Sequence, residues 1–119
     1  MLILMAHGSP NSKWREALER LIEELQAEVR EVEVRLAYME CAPPTLMDVV
    51  SVAVESGVTE FRVLPMFLAA EGHVQRNVVP LVAEVRAAYS SAKVELLPVL
   101  GEHRAFREFL SMVAREQAE

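Results

Sequence analysis

Histidine and glutamate side chains follow several of the short apolar runs in this 119-residue chain. The candidates are His7, Glu40, His73 and His103. Imidazole binds first-row divalent metals, and its neutral form can accept a proton near neutral pH. A carboxylate beside it could also act as an acid or a base. These residue types therefore indicate metal ligation or proton transfer, although each of them alone could also be a loop residue of no special role.

A neighbouring glycine makes two of the three histidines stronger candidates for the site than the third. Gly8 follows His7 and Gly72 precedes His73. A glycine lets the backbone turn tightly and leaves space for a ligand. By contrast, His103 opens a helical pattern, where capping or solvent exposure is a sufficient explanation.

Four strand–helix units are predicted to position these residues. Apolar runs predict strands over 2–6, 32–38, 61–68 and 93–99, and helical spacing predicts helices after residue 11, between Pro44 and Ser56, over 77–89 and over 104–117. Strict alternation of this kind predicts a four-stranded parallel sheet with helices on both faces. Ligands bind such sheets beyond the carboxyl ends of the strands. All the candidate residues are therefore expected on one rim.

The last helix is expected to be buried through its apolar stripe. That stripe consists of Phe106, Phe109, Leu110 and Val113.

Composition restricts the class of protein. The chain is 52% hydrophobic and 25% charged, which is typical of one globular domain, expected over residues 1–119. No apolar run approaches the roughly 18 to 20 residues that span a bilayer. The net charge of −6 argues against nucleic acid or an anionic membrane as partner. The only cysteine, Cys41, cannot form an internal disulfide, so we expect a cytoplasmic location. Because a free cysteine usually packs as a small apolar residue, we expect its side chain to be buried.

Several enzyme motifs are absent. The sequence has neither of the usual glycine-rich phosphate loops, so no nucleotide is expected. It also lacks the Cys-x-x-Cys redox pair and the Gly-x-Ser-x-Gly elbow of hydrolases. Ala6 stands where phosphohistidine phosphatases have arginine before His-Gly.

Several short motifs, in order along nearly the whole chain, resemble the small, short-form sirohydrochlorin cobaltochelatases. They are Leu4-Met5-Ala6-His7-Gly8-Ser9, Tyr38-Met39-Glu40 followed by Pro44-Thr45-Leu46, Val63-Leu64-Pro65-Met66-Phe67-Leu68, Gly72-His73-Val74 and Leu100-Gly101-Glu102-His103.

The resemblance implies a chelatase-like, flavodoxin-like α/β domain that pairs as a homodimer. It implies that His7 and His73 bind the metal and that Glu40 is the acidic residue of the site. Members of the family insert cobalt into sirohydrochlorin for cobalamin, and close relatives insert iron for sirohaem. The divalent metal is thus a substrate, and the sequence does not distinguish cobalt from iron or nickel.

Metal insertion fits these residue types. Two pyrrole protons must leave the tetrapyrrole, and two imidazoles can hold a metal with coordination positions left open for the ring. A histidine or Glu40 could accept the protons. The further substrate-binding residues predicted are Ser9, Met66, Phe67 and Leu68, and Arg76 for the peripheral carboxylates.

One segment departs from the family pattern. Asn77 stands where relatives have aspartate, and one extra residue precedes Pro80. This departure puts the rate and the choice of metal in doubt more than the fold. It leaves open a non-catalytic metal or tetrapyrrole carrier, and an interaction module without a metal role stays a further alternative.

Overall fold

The structure is a computed structural model that describes residues 1–69, 72 and 74–118, with only the backbone of Gln75. Its strands are β1 (Leu2–Ala6), β2 (Val34–Tyr38), β3 (Glu60–Pro65) and β4 (Lys93–Leu96). Its helices are α1 (Ser12–Glu28), α2 (Leu46–Glu55), α3 (Val79–Ala88) and α4 (Arg104–Glu116). A π-helical turn (Val74–Val78) leads into α3, and a 3₁₀ turn (Leu100–Glu102) precedes α4.

The four strands form one parallel sheet in the order β2-β1-β3-β4. The prediction of an α/β fold with a four-stranded parallel sheet is confirmed. Because the chain moves from β1 to one edge and then returns past β1 to β3, the strand order reverses between β1 and β3. Parallel sheets bind ligands beside such a reversal.

Two apolar clusters cover the two faces of the sheet, because alternate side chains of a strand point to opposite sides. Ile3, Met5 and Val63 belong to the cluster beneath α2 and α3. Leu4, Ala6 and Leu36 belong to the cluster beneath α1. One face therefore carries two helices and the other carries α1.

Side-chain caps explain where the first two helices begin. The Asn11 side chain accepts the backbone N–H of Lys13 at the start of α1. Thr45 and Asp48 form a reciprocal capping box at the start of α2. None of the described helices is long and apolar enough to cross a membrane.

The predicted burial of α4 is wrong. No residue of this helix is buried, and Phe109 and Leu110 are 54% and 50% exposed. An amphipathic stripe indicates that a helix packs against something, but not against what.

The predicted burial of Cys41 is also wrong, since this residue is exposed. It lies in the loop after β2 with φ at +70°.

Candidate functional site

The site lies where β1 ends between its two neighbours. Hydrogen bonding continues past the strand ends: Met39 N–H donates to Ala6 O at 2.9 Å, and Glu40 N–H donates to His7 O at 3.2 Å. On the other side, Met66 N–H donates to Met5 O at 2.8 Å. The loops after β2 and β3 are thus held on either side of the loop after β1.

This arrangement brings together three of the predicted residues. His7 Nδ1 lies 3.5 Å from Glu40 Oε1, and the two side chains are 55% and 61% exposed. The rings of His7 and Phe67 meet edge to face, with centroids 5.8 Å apart and planes at 67°. Because the imidazole is held between a carboxylate and an aromatic ring, its orientation at the rim is restricted.

Gly8 allows the first two loops to approach so closely. Its φ is +98°, and a Cβ built there would lie 1.9 Å from the carbonyl oxygen of Glu40. Any side chain at this position would collide with the backbone that carries Glu40. Glycine is therefore required by steric contact as well as by backbone conformation.

A small cavity of about 120 Å³ opens beside His7. Its lining includes Trp14 and Tyr38, which the sequence did not assign to the site, and Arg15, which the sequence offers as a candidate for the peripheral carboxylates. Their places in the sequence indicate that they lie near the rim, since Tyr38 is the last residue of β2 and the other two lie in the first turn of α1.

Tyr38 is 2% exposed, and its hydroxyl has no hydrogen-bond partner among the described residues. Burial raises the pKa of the Tyr38 phenol, and the negative charge of Glu19 raises it further, while Arg15 opposes the shift. Glu19 thus acts through its charge and not through a hydrogen bond of good geometry. The phenol therefore stays protonated at neutral pH.

Ser9 stabilises the loop that carries His7 through hydrogen bonds. Its hydroxyl accepts the N–H of Asn11 at 3.1 Å, and its carbonyl accepts a bond from the Arg15 guanidinium at 2.8 Å. These bonds join the loop to the start of α1. A substrate-binding role for Ser9 stays a prediction.

The remaining predicted substrate-binding residues are spread along the rim. Met66 is half-buried against the cluster beneath α1. Leu68 is 69% exposed, and Arg76 is exposed on the π-helical turn. These positions leave both side chains accessible from solvent.

The second predicted metal ligand, His73, lies outside the described residues. Within residues 1–69, 72 and 74–118, no three histidine, cysteine, aspartate or glutamate side chains converge as a metal site would require. His7 and Glu40 form a pair there.

His103 has a role in a turn. Its Nε2 lies 2.8 Å from the carbonyl oxygen of Pro98, and it stands at the start of α4 without capping that helix through its side chain. This contact gives His103 a structural role before α4.

Comparison with known proteins shows which family this chain resembles. Residues 1–117 match the model of the CbiX family. A sirohydrochlorin cobaltochelatase of Methanopyrus kandleri is 35% identical over 78 residues, which cover 65% of this chain and 54% of the relative. One from Methanosarcina acetivorans is 26% identical over 77 residues, covering 65% of this chain and 59% of the relative. The matched region thus spans little more than half the length of these curated relatives.

Solved structures share the fold. A crystal structure of a cobalamin (vitamin B12) biosynthesis CbiX protein from Marinobacter aquaeolei VT8 is 32% identical, with a TM-score of 0.81 over 98% of this chain and 94% of that chain. SirB from Bacillus subtilis with Fe³⁺ has a TM-score of 0.80 at 17% identity, and covers 99% of this chain and 47% of that chain. At that identity SirB is evidence for the fold alone. The family model and the CbiX crystal structure, each matching nearly the whole chain, show that this protein belongs to the CbiX family.

Proposed function

We propose that this protein inserts a divalent metal, cobalt in the first place, into a sirohydrochlorin-type tetrapyrrole. The observation that carries the proposal is the His7–Glu40 pair, 3.5 Å apart and open to solvent at the rim of the sheet. The two curated relatives, both named sirohydrochlorin cobaltochelatase, support the choice of substrate and metal.

The pair suits both halves of the reaction. An imidazole whose Nδ1–H faces a carboxylate presents its Nε2 lone pair to a metal, and the carboxylate makes that nitrogen a better donor. His7 then holds the incoming ion, with His73 as the proposed second ligand. Once the ring nitrogens replace metal-bound water, Glu40 is placed to accept the two displaced pyrrole protons in turn and to pass each to the solvent that reaches its side chain.

The surroundings of the pair suit a flat, mostly apolar ring with acidic substituents. Phe67 and Met66 offer apolar surface next to His7. The exposed Leu68 extends this surface, and Arg76 supplies a positive charge for a peripheral carboxylate. No covalent intermediate with the protein is needed.

The primary test is absorbance spectroscopy of sirohydrochlorin with cobalt, iron or nickel, with and without the protein. We expect the protein to accelerate insertion, with cobalt turned over fastest. Turnover beyond one metal per chain excludes a carrier. Spectra that change at the same rate with and without protein would contradict the proposed activity.

Substitutions then test the pair itself. We expect His7→Ala to abolish most insertion, and Glu40→Gln to slow insertion more than it weakens metal binding, because the amide keeps the shape but cannot take a proton. His103→Ala is the matched control, since its ring bonds to Pro98. Initial rates, metal titrations and circular dichroism distinguish these outcomes. A folded His7→Ala variant with a near-normal rate would remove His7 from the mechanism.

A further inference from the structure

The cavity beside His7 is bordered by a polar side chain that the proposed mechanism does not use, Tyr38. This side chain is 2% exposed, and its hydroxyl has no hydrogen-bond partner among the described residues. A buried hydroxyl without a partner costs stability, because it has lost its hydrogen bonds to water. An exception of this kind beside a binding cavity indicates a donor that is kept for a ligand.

The side chain of Tyr38 points to the face of the sheet that carries α1. It belongs to the apolar cluster beneath that helix, and the two charged groups that act on its phenol, Glu19 and Arg15, both lie on α1. Arg15 and Leu18 of the same helix line the cavity. The hydroxyl is therefore directed toward the part of the cavity that α1 encloses.

The lining of the cavity combines apolar surface with a few donors. Trp14 and Leu18 provide apolar surface, and Arg15 contributes its guanidinium. A guanidinium has five N–H donors, and the bond to Ser9 O at 2.8 Å uses one of them. A neutral phenol and an arginine in apolar surroundings suit a carboxylate on a short hydrocarbon chain.

The two charges on α1 act on the phenol in opposite directions. Glu19, an exposed carboxylate, acts on it more strongly than the half-buried Arg15. Among the described residues, however, Arg15 lines the cavity and Glu19 does not, so Arg15 is the charge that a group inside the cavity meets. The first turn of α1 adds partial positive charge. An anion in the cavity is therefore held by Arg15 and opposed by Glu19 from outside.

The size of the cavity restricts the ligand to a substituent. Pockets that enclose a drug-sized molecule measure about 300 to 1,000 Å³, whereas this cavity measures about 120 Å³. It opens beside His7, where the proposed function places the metal and the ring. A side group of a ring bound over His7 is thus the part of the substrate that can enter.

We propose that this cavity receives one carboxylate-bearing substituent of the tetrapyrrole, which accepts hydrogen bonds from the Tyr38 hydroxyl and the Arg15 guanidinium. The inference rests on the proposed function, because that function supplies the acidic ring. The subsite fixes the rotation of the ring over His7. A ring without a carboxylate at that place leaves the buried donors unpaired and binds more weakly, so Tyr38 determines specificity and takes no part in moving protons.

Trp14 provides the measurement, because it is the only tryptophan of the chain and lines the cavity. Metal-free sirohydrochlorin is titrated while tryptophan fluorescence is followed, so the test does not depend on insertion. Saturable quenching is expected for the wild type. Tyr38→Phe keeps the ring and removes the donor, and we expect its Kd to be roughly tenfold higher. Glu19→Gln removes the opposing charge, and we expect its Kd to fall about twofold.

Tyr89→Phe is the matched control, since Tyr89 ends α3 just before β4, at the rim where the strands begin. Its Kd should equal that of the wild type. The methyl ester of sirohydrochlorin then identifies the group that binds. Because a neutral carbonyl accepts a weaker hydrogen bond than a carboxylate, the difference between wild type and Tyr38→Phe should shrink. An equal difference for acid and ester would overturn the carboxylate.

Two further outcomes separate the subsite from the proposed function. Equal Kd values for the wild type and a folded Tyr38→Phe variant, or no saturable quenching by the free acid, would overturn the subsite. Binding that Tyr38→Phe weakens, without any metal insertion, would contradict the proposed function and leave the subsite in place. Where insertion occurs, saturating tetrapyrrole should restore the wild-type kcat to Tyr38→Phe, since only binding is lost. A kcat that stays low at saturation would overturn the specificity role.

Discussion

At the scale of single residues, the contact between Gly8 and Glu40 O makes a substitution test of the site possible. Gly8→Ala introduces a Cβ that would lie 1.9 Å from that oxygen, so the loops after β1 and β2 must separate. We expect a loss of stability on the order of 1–3 kcal/mol, as for other overpacking changes. We also expect slower insertion, because His7 and Glu40 move apart.

Gly57→Ala provides a matched control for Gly8→Ala. Its φ of +94° is almost the same, but none of the residues that the structure describes has an atom within 4 Å of the added Cβ. The control therefore reports backbone strain alone, and we expect it to destabilise the protein with a normal insertion rate. Denaturant unfolding and initial rates of both variants are the measurements. Equal rates for the two would show that the close approach of the loops does not matter to the site.

Tyr38 gives a prediction about alkaline pH. Because burial raises the pKa of its phenol above the unfolded value of about 10, the stability that it contributes is present below that pH. This contribution is lost as pH rises through the pKa of the folded state. Tyr38→Phe should change the free energy of unfolding at neutral pH by no more than about 1 kcal/mol, since the hydroxyl has no partner among the described residues.

Above about pH 10 the Tyr38→Phe variant should lose less stability than the wild type. Urea unfolding at neutral and alkaline pH measures both. Parallel stability curves for the two proteins throughout would mean that the phenol ionises as readily in the folded state as in the unfolded one.

At the scale of elements, the 3₁₀ turn before α4 is held by a steric contact. Gly101→Ala would place a Cβ 1.9 Å from Leu68 O, so the turn must shift and α4 must change direction. We expect destabilisation on the order of 1–3 kcal/mol in denaturant unfolding. Gly72→Ala is a comparison, because no atom of the described residues lies within 4 Å of its added Cβ, although its φ of +76° adds backbone strain that Gly101 does not share. A Gly101→Ala variant with wild-type stability would contradict this account of the turn.

The sequence predicted well the strands and helices whose apolar residues form a continuous run or recur with the helical period. All four strands and all four helices exist, because apolar runs and helical stripes record which face is buried. The ends of β3 and β4 were predicted too far along the chain. Apolar residues continue beyond both strands, into Met66–Leu68 and Leu97–Val99, and an apolar run alone does not show where a strand ends.

The site was predictable in part for a similar reason. The rule that parallel strands end on one rim placed His7 and Glu40 together, and the structure brings them to 3.5 Å. The edge contact with Phe67 and the cavity at Tyr38 depend on the order of the strands and on how α1 packs. Neither of these can be read from local spacing.

At the scale of the whole molecule, the net charge of −6 acts in opposite directions on the two proposed substrates. It repels an acidic tetrapyrrole and attracts a divalent cation. Raising the ionic strength screens both effects. We therefore expect the KM for the tetrapyrrole to fall and the KM for the metal to rise. Steady-state rates at low and physiological salt measure both, and shifts of the same sign would mean that local charges outweigh the overall field.

The π-helical turn Val74–Val78 has a consequence for the rest of the chain. In an α-helix one extra residue rotates everything after it by about 100°. A wider turn can absorb that residue, and the sequence has one more residue before Pro80 than the family pattern. Val82 and Val85 of α3 are buried in this structure, which is what a turn that absorbs the extra residue would allow. We therefore expect that removing one residue from this turn would rotate Val82 and Val85 away from the sheet and lower the stability of the protein.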